Sequence, residues 1–459
     1  LVCFDASAIF TGEAVVSELR RWKPDRVASL VYTHGHIDHV GGSGYFVADA
    51  EARLVIASPD HAAALRDVLP DVTIVEFDGD RDEAGAGTFG ALASSLEPVE
   101  HPPLDGPGSD PAAMLYTSGT TGRSKGAILT HDSLLSNARV LHDAWAIEPD
   151  DTICHTLPIF HVHGLFVAIF PLMLEGAVVR FRPRFDIDDV LAQLPTCSVL
   201  MGVPTHYVRL LGDDRFDREL CAHVRLFTSG SAPMTEQVHA EFTARTGRHI
   251  VERYGMTETG ILTSNTLGEG GQVPGTVGFA LAGHELRVVD DAGIAVPPGV
   301  SGQVEVLPPV PFAGYWRQPD KTAEAITADG WFRTGDVGSL DETGRLSLDG
   351  RASDMIISGG YNVYPKEIEM VLDAVDGVVE SAVFGVPHPD FGETAVAVVV
   401  PAPGADHAEV EARLDAACRA DLARFKHPRR YEFVDELPRN AMAKVVKNGL
   451  REQYRDLFS

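Results

Sequence analysis

Apolar and polar positions along the chain fall into stretches of different period. Leu1–Asp5 and Val27–Thr33 are short apolar runs that predict strands, and Gly12–Trp22 between them has apolar residues at helical spacing. A new alternation begins near Ala52, with a strand over Arg53–Ser58, a helix over Asp60–Leu69 and a strand over Val72–Phe77. His101–Pro111, rich in Pro, Gly and Asp, predicts a loop or linker. Next come a strand over Ala112–Tyr116, a glycine-rich loop, and alternating strand and helix patterns to about Leu210, which implies an α/β layer structure with substantially parallel sheet. Beyond Leu281 the apolar runs shorten and turn residues crowd at Asp290-Asp291, Pro297–Gly299 and Asp341–Gly344, the mark of a smaller antiparallel β region. The C-terminal part alternates again, with strands near Ser381–Val386 and Ala395–Val400. The most apolar run, Gly164–Leu174, ends at Glu175 and is too short for a bilayer, so it predicts a core helix.

Composition narrows the function classes. A chain of 459 residues has room for two or three domains with sizeable cores, and 44 % apolar with 23 % charged residues is ordinary for a soluble globular enzyme. The formal charge of −28 argues against a nucleic-acid partner, which would need basic groups for its phosphates. The 5 cysteines are scattered and odd in number, so a reducing, cytoplasmic compartment is expected rather than a disulfide framework. The opening residues lack a signal-peptide pattern and start at Leu1, which reads as a fragment or a processed product.

The sharpest chemical signal is the run Tyr116–Gly126. A strand leads into Thr117, Ser118, Gly119, Thr120, Thr121 and Gly122, and the loop closes on Lys125. Glycines let backbone N–H groups converge on an anion, hydroxyls add donors, and the lysine adds a point charge. Such a loop suits a polyphosphate, although the P-loop spacing is absent.

This loop resembles the phosphate loop of the adenylate-forming superfamily of acyl-CoA synthetases, luciferases and peptide-synthetase adenylation domains. Further segments match that family in order: Pro158–Gly164, Ser229–Pro233, Glu252–Glu258, Gly314–Trp316, Trp331–Asp336, Gly350–Asp354, Ser358–Pro365 and Pro438–Lys444. The resemblance runs from about Ala52 to the C-terminus and is greatest to malonyl-CoA synthetases, through Glu252–Thr259 and Thr263–Asn265.

The resemblance implies roles residue by residue. Tyr254 would stack on adenine against Ala232 and Pro233, with Ser231, Glu252, Gly255 and Met256 in the same nucleotide site. Glu258 would ligate Mg²⁺ on ATP, Thr257 would donate to the α-phosphate, and Asp336 and Arg351 would hold the ribose. Lys444 would be the mobile catalytic lysine, offsetting repulsion between carboxylate and phosphate. Ala443 stands where the family usually has Gly, and Ser353 where it usually has Asp or Lys at the hinge. His161 would gate the acyl pocket. Arg253, next to the adenine tyrosine, would face that pocket and clamp a second carboxylate, with Arg209 as a second clamp; a salt bridge to an Asp or Glu is the alternative for Arg253. Gly359 and Gly360 would line the CoA channel. Lys426 and Arg429, in the basic run Arg424–Arg430, would hold CoA phosphates or else form a solvated face.

A second motif stands apart. His34, His36, Asp38 and His39 form an HxHxDH turn of the kind that binds zinc, resembling a metallo-β-lactamase-fold segment. The later ligands of that fold have no evident counterpart, so the segment reads as a truncated fragment and zinc is not expected.

Together these features predict an α/β protein with a fragment over 1–50, an AMP-binding domain of layered sheets and helices over 51–350 that lacks its usual opening part, and a small α+β lid domain over 351–459. The expected activity is acyl-CoA synthesis with ATP, Mg²⁺ and CoA from malonate, methylmalonate or another short acid, with no membrane span and no carrier-protein domain. The alternatives are an impaired adenylate-binding protein and a zinc hydrolase built on the HxHxDH turn.

Overall fold

The computed structural model describes residues 54–57, 62–63, 65–66, 70–76, 107–117, 125–159, 161–182, 184–232, 234–268, 270–439 and 445–458. The first described strands, β1 (Leu54–Ala57) and β2 (Thr73–Glu76), pair in parallel. They match the alternation that starts near Ala52. The next two, β3 (Pro111–Thr117) and β4 (Lys125–Thr130), form an antiparallel pair that brackets the glycine-rich loop. The chain passes from β4 straight into helix α1 (His131–Ala144). Thr130 and Ser133 close a capping box there, each side chain accepting from the other's backbone N–H.

Five strands and four helices then alternate. They are β5 (Thr152–His155), α2 (Phe170–Glu175), β6 (Val178–Phe181), α3 (Ile187–Gln193), β7 (Val199–Gly202), α4 (Pro204–Leu211), β8 (Leu226–Ser229), α5 (Glu236–Thr246) and β9 (Ile250–Met256). Two antiparallel additions follow, β10 (Gly260–Ser264) and β11 (Phe279–Ala280). The sheet runs β11-β10-β9-β8-β7-β5-β6, parallel from β9 to β6. Every residue of β7 and β8 is buried, because both faces of the sheet are covered; β7 is apolar throughout, while β8 ends on the buried polar pair Thr228 and Ser229. One face packs against Tyr207, Leu210, Phe216 and Phe242 from α4, α5 and the segment between them. The other packs against Leu141 and Trp145 near the end of α1 and Val162, Val167 and Leu172 around α2. The apolar run Gly164–Leu174 is not the single helix expected. It divides into a π-helical turn at His163–Val167 and α2.

The antiparallel region beyond Leu281 is the four-stranded sheet β12 (Glu285–Val289), β13 (Gly302–Leu307), β14 (Phe332–Leu340) and β15 (Leu346–Arg351), with α6 (Pro319–Ala325) inserted before β14. A 3₁₀ turn at Ala352–Asp354 leads to the smaller C-terminal domain. It holds β16 (Ile356–Ser358), β17 (Tyr361–Val363), α7 (Pro365–Asp373), β18 (Val378–His388), β19 (Gly392–Pro401), α8 (His407–Asp421), β20 (Arg430–Phe433) and α9 (Lys447–Gln453). The strands expected near Ser381 and Ala395 are longer than predicted and pair with each other as one antiparallel hairpin. The fold is therefore mixed α/β, a large sheet-and-helix domain followed by a smaller one. Among the described residues no helix is long and apolar enough to cross a membrane.

A buried carboxylate ties the lower edge of the main sheet together. Asp151, 2 % exposed, accepts from Arg225 Nε at 2.9 Å, from Arg225 Nη2, from Ser198 Oγ at 2.6 Å and from the Glu148 amide at 2.8 Å. Burial alone would raise its pKa, but these donors outweigh it and hold the group below the usual carboxylate value. A depressed folded-state pKa contributes stability that is complete above the unfolded value near 4 and fades as the pH falls through the folded one. Asp151→Asn should lower the unfolding free energy by about 1–3 kcal/mol at neutral pH, and thermal melts should show the gap to the parent narrowing below about pH 4. A gap of constant size down to pH 2 would show that the ionised carboxylate is not what stabilises this edge.

Candidate functional site

The exit of β9 and the middle of β14 meet over one carboxylate. Asp336 and Arg351 are register partners on β14 and β15, and Arg351 Nε lies 2.8 Å from Asp336 Oδ1. The Tyr254 hydroxyl donates to Asp336 Oδ2. The Asp336 amide binds Thr334 Oγ1 at 3.1 Å, and Arg351 Nη1 binds the Thr334 carbonyl at 3.0 Å. Burial, with the Asp336 charge beside it, pushes the Tyr254 phenol well above its ordinary value, so it stays a donor. Three residues expected at the nucleotide are thus brought together. Arg351 belongs to β15 and its sheet, so the expected boundary at 351 falls on the last residue of a strand.

A second group lies at the foot of the glycine-rich loop. Lys125 Nζ sits 4.4 Å above the Tyr315 ring, and the Tyr315 hydroxyl donates to Glu258 Oε1 at 2.8 Å. Glu258 and Thr257 occupy the turn between β9 and β10. Tyr315 therefore organises two expected phosphate-handling residues, a role not read from the Gly314–Trp316 motif. Its segment is tied to β4 by Trp316 N to Gly126 O at 2.7 Å and Ile128 N to Gly314 O at 3.0 Å. Thr117 Oγ1 donates to the Lys125 carbonyl at 3.4 Å, across the mouth of the loop. Ser118, Gly119, Thr120, Thr121, Gly122, Pro233, Ala443 and Lys444 lie outside the described residues, as do His34, His36, Asp38 and His39.

The third group is polar and buried on the face of the main sheet that α1 covers. Arg253 is 4 % exposed, and its Nε and Nη2 have no hydrogen-bond partner. No carboxylate pairs with it among the described residues, so the salt-bridge alternative does not hold there. Its guanidinium lies over Gly230, where a Cβ would come within 2.4 Å of Nη1. Burial lowers its pKa to about 10, which leaves it charged at neutral pH. Near it is His163, held by a contact of 3.2 Å between its Nδ1 and Ser231 Oγ, with Nε2 buried and unpartnered. Burial first and Arg253 second push His163 well below the ordinary imidazole value, so it is neutral. Strand alternation puts Thr228 and His155 on this same face, and their buried polar atoms also lack partners. Ser231 itself has φ +69°, a left-handed backbone rare for a residue with a side chain. A cation with neutral donors and no resident counter-charge suits an anionic group.

Other expected residues have different surroundings. The Glu252 carboxylate is committed within the fold: Oε1 accepts from the Met234 amide at 3.2 Å and Oε2 lies 3.0 Å from His239 Nε2, which fixes β9 to α5 rather than offering the group to a nucleotide. Arg209 is not a second clamp beside Arg253. It projects from the exposed side of α4 and lies 4.8 Å over the Phe185 ring, because Tyr207 and Leu210 take the buried side. His161 Nδ1 accepts from the His163 amide at 3.1 Å, which links the expected gate to the start of the π turn. Gly255 and Met256 continue β9, and Ala232 is exposed beside Ser231. On the smaller domain Gly359 and Gly360 have φ of +58° and +85°, and Arg429 lies 4.1 Å over Phe391. Lys426 is held by Glu367 at 2.5 Å and 2.6 Å, so its charge is already matched within that domain.

Residues 42–316 match the family described as AMP-binding enzyme, and residues 367–444 match the AMP-binding enzyme C-terminal domain. The first match begins inside the stretch expected to be a separate fragment. Among curated relatives, a sulfoacetate–CoA ligase of Cupriavidus necator is 37 % identical, covering 88 % of this chain and 78 % of its own. A malonate–CoA ligase of Arabidopsis thaliana is 32 % identical over 96 % of this chain and 76 % of its own. Among solved structures, ATP-bound MatB from Rhodopseudomonas palustris is 44 % identical and superposes with a TM-score of 0.88, covering 100 % of this chain and 90 % of that one.

A buried, uncompensated guanidinium costs folding free energy that an apolar residue would not. Arg253→Met is therefore expected to raise the unfolding midpoint of the ligand-free protein, with a gain of about 1–4 kcal/mol. Calorimetry tests this directly. A fall in the midpoint would mean that the guanidinium holds the fold together and is not reserved for a ligand.

Proposed function

The chain belongs to the AMP-binding enzyme family, and on that premise we propose that it is an AMP-forming acyl-CoA synthetase for a short acid bearing a second anionic group, with malonate and methylmalonate first. The observation that carries the choice of acid is Arg253, buried and without a partner in a pocket whose histidine is neutral. Malonate and sulfoacetate, the acids in the names of two relatives, both pair a carboxylate with another anion two bonds of carbon away. The distal anion would sit on Arg253 and receive hydrogen bonds from His163 and Thr228, while the reacting carboxylate turns toward the turn of Thr257 and Glu258.

In the first half-reaction the acid's carboxylate oxygen attacks the α-phosphorus of ATP, and pyrophosphate leaves. Two anions must approach, so the barrier is largely electrostatic. Lys125 and the backbone N–H groups of the glycine-rich loop hold the phosphates, and Lys444 would bridge the reacting groups. Tyr254 stacks on the adenine with its hydroxyl fixed by Asp336, and the ribose joins that network by sharing or displacing a partner. No group of three or more His, Cys, Asp or Glu among the described residues could hold a metal alone. The single carboxylate of Glu258 fits Mg²⁺ that arrives with ATP and keeps phosphate oxygens as ligands, where it would neutralise charge on the departing pyrophosphate. In the second half-reaction the CoA thiol attacks the acyl carbon, and AMP leaves. The smaller domain would turn about Ala352–Asp354 between the steps, removing Lys444 and presenting Gly359 and Gly360 to the pantetheine arm. A cytoplasmic location is proposed on the four described cysteines, all free and buried.

Pyrophosphate release from ATP and Mg²⁺ should be measured with malonate, methylmalonate, sulfoacetate, acetate and octanoate, each with and without CoA. The doubly anionic acids should give release, and their CoA thioesters should be found by mass. In Arg253→Met, kcat/KM for malonate should fall by about two orders of magnitude while that for acetate changes little. A preference for acetate or octanoate would remove the second anion from the proposal and keep the reaction. Folded protein that releases no pyrophosphate with any of these acids would favour an adenylate-binding protein without catalysis.

A further inference from the structure

The turn that carries Thr257 and Glu258 is held from outside the sheet by one amide side chain. Asn137, half-buried on α1, donates from Nδ2 to the Ile261 carbonyl at 2.9 Å and accepts at Oδ1 from the Ile261 amide at 3.1 Å. Ile261 is where the β9–β10 register shifts, between its pairing with Gly255 and that of Thr263 with Tyr254. A strand is weakest in its pairing at such an irregularity, and the direction of the hairpin beyond it is set there. Asn137 takes both main-chain groups of the residue at the shift.

Gly260 makes the same point from the other side of the contact. It has φ +72°, and a Cβ on it would lie 2.7 Å from both Cγ and Oδ1 of Asn137. The amide therefore fills the space that the hairpin leaves beneath its own turn. α1 in turn is the direct continuation of β4, whose first residue is Lys125, and its start is fixed by the capping box at Thr130. One short path, Lys125 to Thr130 to Asn137 to Ile261, joins the stem of the glycine-rich loop to the turn bearing Glu258. Tyr315 joins the same two groups on the side of their charges.

We propose that Asn137 is a positioning residue for adenylate formation: by bonding both main-chain groups of Ile261 it sets Glu258 and Thr257 against Lys125. This rests on the reading of Glu258 as an ATP-handling residue. An apolar or shortened side chain at 137 leaves the register shift unheld, and the turn samples positions in which Glu258 no longer faces the phosphates. Asn137→Asp keeps the size and one acceptor but sets a carboxylate oxygen against the Ile261 carbonyl in place of the donor, so it should lose at least as much as Asn137→Ala.

The test is a double-mutant cycle on the full chain with Asn137→Ala, Glu258→Gln and the pair, read by malonate-dependent exchange of pyrophosphate into ATP. Amide hydrogen exchange over residues 257–264 of the ligand-free protein gives a second readout that needs no turnover. Asn137→Ala should lower the exchange rate about tenfold in the parent and by less than about twofold in Glu258→Gln, because Asn137 acts through Glu258. The Ile261 segment should exchange its amides faster in both Asn137 variants. Equal losses in the two backgrounds would reduce Asn137 to general stability and overturn the inference, as would unchanged amide exchange. If Glu258→Gln keeps the parent rate, the reading of Glu258 fails and the inference with it. A crippled Glu258→Gln beside a fully active Asn137→Ala overturns the inference alone. Asn137→Asp decides the question by the same two readouts if the alanine variant does not fold.

Discussion

Three consecutive residues of β9 have to serve three different environments, and the arrangement of everything around the site follows from that demand. Glu252 anchors the strand to α5, Arg253 crosses to the opposite face beneath α1, and Tyr254 reaches Asp336 on the neighbouring four-stranded sheet. A pleated strand sends successive side chains to opposite faces, so the pocket around Arg253 and the Tyr254–Asp336 network can be adjacent in sequence yet chemically separate. β9 is also the last parallel strand before the antiparallel β10, so its carboxyl end borders the crevice where α/β sheets bind ligands. The reacting groups of an acid and a nucleotide could meet only at such an edge.

Separation also explains how a charge can be left uncompensated in the core. Glu252 is one residue away from Arg253, and the simplest way to neutralise the guanidinium would be to pair the two. The strand makes that impossible, since Glu252 is turned to the other face and held there by His239 and the Met234 amide. His163 does not share the charge either, because burial and the nearby guanidinium keep it neutral. An unpaired buried ion costs several kcal/mol at most sites, about 3–5 when a partner is removed from a pair. That cost is tolerable in a domain with large apolar clusters, and it is the cost that a bound anion would relieve.

How much of this was legible in the sequence depends on the range of the interaction. The strand ahead of the glycine-rich loop and the antiparallel region beyond Leu281 were readable, because each rests on a local pattern or a segment of characteristic composition, whereas Tyr254 and Asp336 were named from separate motifs without the bond between them. The π turn at His163–Val167 was not, since an apolar run has the same composition whether or not its helical hydrogen bonds slip by one residue. Arg209 and Arg253 look alike in sequence, and only the packing of Tyr207 and Leu210 decides that one of them is exposed. The bond of Glu252 to His239 was not legible for the complementary reason: the partner is on another element, and nothing near residue 252 signals it. Tyr315 and Asn137 act across 57 and 124 residues of chain, beyond the reach of any periodicity.

The place of Arg351 at the junction with the smaller domain follows from the same logic of separation. Arg351 stands immediately before the 3₁₀ turn at Ala352–Asp354, so by sequence alone it could move with the smaller domain. Its pairing with Asp336 along β14 and β15 holds it in the four-stranded sheet, and its guanidinium completes the network on Tyr254. Among the described residues the smaller domain meets this sheet through Lys366 on α7, whose ammonium donates to the Leu348 carbonyl at 2.9 Å, a contact to a backbone atom that water could replace. Lys426 with Glu367 and Lys447 with Glu369 are satisfied inside the smaller domain and travel with it. Among the described residues the ion pairs of Lys426 and Lys447 lie within the smaller domain and that of Arg351 within the four-stranded sheet, so a rotation at the turn would leave the Tyr254–Asp336–Arg351 network unbroken and change only what faces it.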